Sequence, residues 1–157
     1  MKNWKRLLIS IFICQLAGII GSFFTTGAIN TWYIFLEKPS FAPPNWLFAP
    51  VWISLYTLMG VSFYLVWQSS LGKKEHKAAI NLFLVHLVFN SAWSIIFFGA
   101  QEIGLALLEI LLLLVLLVAV IVKFYQIDKK AALLLLPYFV WVSFASFLNY
   151  QLWVLNR

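Results

Sequence analysis

At 157 residues, 64% hydrophobic, 18% aromatic and only 10% charged, the chain has too little polar surface to cover a soluble globule. Its net charge of +6 comes from 11 Lys and Arg that gather at the flanks of apolar segments, a membrane-type bias that calls for no nucleic-acid partner. Cys14 is the only cysteine, which excludes an intramolecular disulfide and a thiolate cluster, and no metal site is expected.

A membrane-spanning helix needs about 20 apolar residues, and five stretches qualify: 7–25, 47–67, 78–98, 103–125 and 131–155. Their lengths suit helices and exceed a membrane strand, so the expected fold is all-α, a single domain over 1–157 built as an integral membrane bundle of five helices. Lys2, Lys5, Arg6, Lys73, Lys74, Lys77, Lys123, Lys129 and Lys130 fall on one side of such a bundle, and only Lys38 and Arg157 on the other. That asymmetry places the N-terminus inside and the C-terminus outside.

The first span opens on a basic flank that also fits a secretory leader. Its run is longer than a leader's apolar region and Thr26-Gly27-Ala28 is a poor cleavage site, so the span is expected to stay. Gln15, Gly18, Ser22 and Thr25 make a small and polar stripe on it, suited to close helix contact within one chain or between two copies.

Residues 26–46 form the expected outer lid. Four of the five prolines lie between Trp32 and Trp52, and each fixes its own φ and biases its predecessor away from the helical region. A stiff aromatic cap follows, with Trp32, Pro43, Pro44 and Trp46 as candidate ligand contacts.

Beneath it, Trp52 lies about 8 Å into the second span, with Tyr56 on the same face. A solvated turn is expected over Gln68–Lys77. In the third span His86, Asn90, Trp93 and Phe97 share a face, with Asn90 about 12 Å from the outer end. Short hairpins over Gly99–Glu102 and Gln126–Lys130 make the last three spans antiparallel neighbours. Pro137 should bend the fifth span, which presents Trp141, Ala145 and Asn149 as a matching stripe.

Intramembrane Asn90, Asn149 and Glu109 should point inward, since lipid offers a polar group no partner. With the tryptophan faces they describe an apolar pocket holding a few polar anchors. The alternative for each amide is an interhelical hydrogen bond with no ligand. Glu109 alone suits a proton-coupled route but lacks ionisable neighbours at its depth, and His86 is more simply a packed imidazole than a haem ligand. No Ser-His-Asp order, P-loop or zinc spacing is present.

The run Trp32-Tyr33, Leu36, Lys38-Pro39-Ser40, Pro43-Pro44, Trp46, Pro50-Val51-Trp52, Leu55-Tyr56, Met59-Gly60 and Tyr64-Leu65-Val66-Trp67 resembles the translocator protein family, the tryptophan-rich sensory proteins or peripheral benzodiazepine receptors. Asn90, Trp93, Phe97-Phe98-Gly99-Ala100, Gly104, Ala106-Leu107, Glu109, Pro137-Tyr138, Trp141 and Leu148-Asn149-Tyr150 extend the resemblance across the chain.

The resemblance implies a five-helix bundle, commonly a homodimer in lipid, that needs no cofactor and binds porphyrins such as protoporphyrin IX or haem beneath the first connector. Trp52, Asn90, Trp93, Trp141 and Ala145 match pocket positions. Trp52 and Trp141 match the tryptophans tied to light- and oxygen-dependent porphyrin degradation, which leaves open whether the chain is an enzyme. A tetrapyrrole transporter using Glu109, or a ligand-regulated membrane scaffold, are the alternatives. The positive-inside bias suits a bacterial plasma membrane.

The chain departs from the family where Phe41 replaces a usual Trp and Leu105 replaces a pocket Trp of animal members. Tyr150 and Arg157 are spaced one residue too far apart for the C-terminal sterol pattern.

Overall fold

The computed structural model describes residues 3–69 and 73–157, and its elements are helical throughout that range. Helix α1 spans Trp4–Ile29, α2 Asn45–Gln68, α3 Lys73–Ser94, α4 Ile103–Ile127, α5 Lys129–Leu134 and α6 Leu136–Leu155. A wider π turn, Ile95–Gly99, prolongs α3, and a 3-10 turn, Tyr33–Phe35, interrupts the first connector. Five continuous apolar rods are long enough to cross a bilayer, with α5 and α6 counting as one. Each expected span lies inside one of these rods.

Three boundaries differ from expectation for local reasons. The first helix runs on to Ile29, because the Thr25, Thr26 and Thr31 hydroxyls bond back to carbonyls four residues earlier and leave the turns intact. The connector is therefore shorter than 26–46, and α2 already begins at Asn45 after Pro44 in an extended conformation. Of the turn expected over Gln68–Lys77, Gln68 closes α2, Lys73–Lys77 open α3, and 70–72 lie outside the described residues.

The break at Pro137 is present. Leu135 separates α5 from α6, and Pro137 sits in the first turn of α6, where its missing N–H removes no helical bond. At the other end of α5, Asp128 accepts from the Lys130 and Ala131 amides, so a one-residue joint suffices between α4 and α5.

Packing begins where α1 meets α2. A Cβ on Gly60 would fall 2.5 Å from Ile11 Cα, and one on Gly18 would enter the Tyr56 ring, so the absent side chains set the distance between the helices. The small and polar stripe of α1 serves this intrachain contact. Gln15 Nε2 donates to Ile53 O and Thr57 Oγ1, both at 3.0 Å, and Ser91 Oγ of α3 donates to Ala17 O at 3.0 Å.

Away from the first connector the core is solid. Phe63, Phe83 and Phe124 stack in sequence at 4.9 and 5.4 Å, among Met59, Leu113, Leu117 and Leu135. Near the connector a second cluster gathers Tyr33, Phe97, Ala106, Leu148 and Leu152. Glu109 lies buried in α4, and neither of its carboxyl oxygens has a partner among the described residues.

Two outcomes follow from this packing. Gly60→Ala should lower the thermal midpoint in detergent by the equivalent of about 1–3 kcal/mol, and an unchanged midpoint would show that α1 and α2 are free to separate. Glu109→Met, close in shape and apolar, should raise it by about 1–3 kcal/mol as an unsatisfied buried carboxyl is removed. A fall would mean that the carboxyl has a partner.

Candidate functional site: a roofed aromatic cavity

Helix α2 starts with one face already aimed inward. Asn45, Phe48, Ala49, Trp52 and Tyr56 recur at three- and four-residue steps, and all of them line one cavity of about 440 Å³ between the two core clusters. Helix α3 and its π turn add Asn90, Trp93 and Phe97, and α6 adds Trp141, Ala145 and Asn149. The wall contributed by α1 is the same stripe that approaches α2, with Gly18, Ser22 and Thr25 leaving open the volume that larger side chains would fill.

The aromatic walls are set at right angles. Trp52 and Trp141 stand with ring centroids 6.5 Å apart and planes at 89°, Trp52 lies along Tyr56 at 5.4 Å, and Trp93 lies along Phe97 at 5.0 Å. Such a box presents both π faces and ring edges to a flat guest. Its polar groups are few and held. Trp93 Nε1 donates to Asn149 Oδ1 at 3.0 Å, and Asn149 Nδ2 donates to Ile103 O at 3.0 Å, which ties α3, α6 and α4 together. Asn90 accepts from Tyr56 Oη and donates to Tyr138 Oη at 2.8 Å. Trp141 Nε1, by contrast, is buried with no partner among the described residues.

The connector roofs the cavity through Tyr33, which is 3% exposed. Burial pushes the Tyr33 phenol above its ordinary value, and the Lys38 ammonium sits 4.7 Å from the ring centre. The middle of the connector is clamped to the end of α6: Glu37 N donates to Asn156 Oδ1, and Asn156 Nδ2 donates to Glu37 O, both at 2.9 Å. Phe41, standing where the resembled family usually has Trp, stacks on Phe147 at 5.3 Å.

Four lid candidates lie outside the lining. Trp32 packs edge-on against Phe97 at 5.6 Å and so supports the wall from behind. Pro43 and Pro44 form the turn that launches α2, and Trp46, one step into the helix, is 72% exposed on its outer side. The remaining candidates, Trp52, Tyr56, Asn90, Trp93, Phe97, Trp141, Ala145 and Asn149, all line the cavity. Tyr33, Phe48 and the α1 stripe were not singled out as ligand contacts. Stepping back from Trp52 by three and four residues finds Phe48 and Ala49, and the α1 stripe carried its own signal in its spacing.

Glu109 and His86 are not part of the lining, nor is Leu105. Among the described residues the lining holds no histidine, cysteine or methionine and no charged side chain, so it offers a neutral surface in which the Tyr33 and Tyr56 phenols are of a haem-ligating type. Ile19 of α1 and Ile53 of α2 both line the cavity and are 47% and 58% exposed, which marks a sideways opening between these helices.

Comparison with known proteins agrees with this architecture. Residues 10–154 match the TspO/MBR family. A tryptophan-rich protein TspO from Archaeoglobus fulgidus is 42% identical over 154 residues, covering 98% of this chain and 99% of the relative. The human translocator protein is 43% identical over 141 residues, covering 88% and 83%, and the protein CrtK of Rhodobacter capsulatus is 38% identical, covering 91% and 88%. With the match running from the first helix to the last, this chain is an integral membrane protein that belongs to the TspO/MBR family.

Proposed function

We propose that the chain is a membrane receptor that binds porphyrins in the cavity beneath the first connector, and that light and oxygen drive slow degradation of the bound ring. Family membership supports a receptor or sensor role in the membrane in general terms. The observation that carries the finer reading is the convergence of Trp52 and Trp141, 6.5 Å apart, on one roofed hollow. Its volume of about 440 Å³ lies within the range of small-molecule sites.

The chemistry of the lining narrows the guest. A flat, hydrophobic macrocycle gains from stacking on indole and phenol faces. A neutral wall also gives carboxylates nothing to pair with. The propionates of a porphyrin would therefore lie outside this lining, toward the polar surface of the membrane, with the ring inside. The opening between α1 and α2 suits a ligand that arrives dissolved in the bilayer, the bacterial plasma membrane in this reading.

Degradation would use the same contact. A porphyrin excited by light is a strong oxidant, and an indole at van der Waals distance can supply one electron, leaving a reduced ring that dioxygen attacks. The closed walls keep water from the intermediates.

Titrating protoporphyrin IX into the detergent-solubilised protein in darkness should quench tryptophan fluorescence without changing porphyrin absorbance. Illumination in air should then bleach it faster than an equal concentration of free tryptophan does. Trp52→Phe and Trp141→Phe should each slow bleaching by about tenfold or more if electron donation limits the rate. Bleaching at the parent rate in both variants would remove the tryptophan mechanism, and unquenched fluorescence in the parent would remove the binding site.

A further inference from the structure

Four polar side chains from three helices form a single line of hydrogen bonds that begins on the cavity wall and ends in the packed core. Tyr56 Oη donates to Asn90 Oδ1, Asn90 Nδ2 donates to Tyr138 Oη at 2.8 Å, and Tyr138 Oη lies 3.0 Å from His86 Nε2. Tyr56 and Asn90 line the cavity, whereas Tyr138 and His86 lie behind it, each 0% exposed.

The order of protons along this line is set by the amide in its middle. A phenol has one proton to give, and a neutral imidazole has one N–H and one lone pair. With Asn90 Oδ1 turned to Tyr56, that phenol must donate. With Asn90 Nδ2 turned to Tyr138, that phenol accepts, and its own proton is left for His86 Nε2. His86 then carries its hydrogen on Nδ1, the ring nitrogen that has no partner among the described residues. Every proton in the line points toward the core, and the other end of the line is the Tyr56 oxygen with its free lone pairs, on a residue that lines the cavity.

We infer that His86, which touches no ligand, sets the ligand preference of this site: by accepting at Nε2 it holds the cavity floor as a hydrogen-bond acceptor, so that guests bringing a pyrrole-, indole- or amide-type N–H to that depth are selected. His86 is thus a positioning residue acting through Tyr138, Asn90 and Tyr56. The inference rests on the cavity being a ligand site. It does not describe a proton path, because an amide can turn over but does not readily pass a proton along.

Removing the acceptor should invert the line. In the parent, His86 Nδ1 is left over among the described residues whichever way the line runs; in His86→Phe that atom is gone, and the group left unsatisfied in apolar packing would be the Tyr138 proton. Turning the Asn90 amide over relieves it: Tyr138 donates to Oδ1, Nδ2 donates to Tyr56, and the Tyr56 proton swings into the cavity. The floor becomes a donor while the shape of the cavity is unchanged.

Indole and benzofuran have nearly the same outline, but one carries an N–H donor where the other carries a ring oxygen. Calorimetry in matched detergent should find indole about fivefold tighter in the parent, the worth of one hydrogen bond, and benzofuran tighter in His86→Phe. Tyr138→Phe breaks the same line one link nearer the cavity, freeing the amide to turn toward Tyr56, and should give the same reversal if the first variant fails to fold. A parent that prefers benzofuran, or an indole preference that persists in a folded variant, would overturn the inference while leaving the cavity as a ligand site. Failure of both compounds to bind the parent would remove the ligand site and the inference with it.

Discussion

A polar atom buried by these five helices must find its partner inside the bundle, because lipid has none to offer. Two asparagines meet that demand in a way that shapes everything else. Asn90 joins α3 to α2 through Tyr56 and to α6 through Tyr138, and Asn149 joins α6 to α3 through Trp93 and to α4 through the Ile103 carbonyl. Each such bond is worth only about 1 kcal/mol in a membrane setting, but together they tie four helices at fixed separations and leave the space between them unfilled. The hollow is bounded by those ties on the core side and on the connector side.

The rest of the architecture keeps that space from collapsing or flooding. Glycines let α1 lie close to α2 along most of its length, while the small residues further along the same face become cavity wall. The connector is stiffened by its prolines and anchored in its first half by Tyr33 and at its middle by the reciprocal bonds between Glu37 and Asn156. Rigid indole and phenyl rings line what is left. Their large faces supply contact area with little rotamer freedom to lose, as suits a preformed site. Glu109 stands apart: its buried carboxyl, without a partner among the described residues, is outside the lining.

The number, order and class of the spans were legible in the sequence because apolar length is a direct physical requirement of the bilayer. Helical periodicity also identified the inward faces of α2, α3 and α6, since Trp52 and Tyr56, Asn90 and Trp93, and Trp141 and Asn149 each recur at helical steps. Proline chemistry identified the break before α6. For the lid, composition reports stiffness without direction: Pro43, Pro44 and Trp46 lie outside the lining, and the helix that Pro44 launches turns Trp46 outward. The ends of α1 and α2 were also missed, for hydroxyl back-bonds and an extended proline extend helices without altering hydropathy. The role of α1 in the cavity needed coordinates, because a stripe of small residues reads equally well as contact or as vacancy. The Tyr138 to His86 link depended on partners 52 residues apart, and no local pattern announces such a pair.

The central claim is that one hollow, walled by Trp52, Trp93 and Trp141, holds a tetrapyrrole. An experimental structure of the protein prepared with protoporphyrin IX in darkness tests it most directly. Density for the flat ring between those three indoles is the predicted result. A porphyrin seated on the lipid-facing surface, with the hollow empty or filled by a lipid tail, would contradict the account.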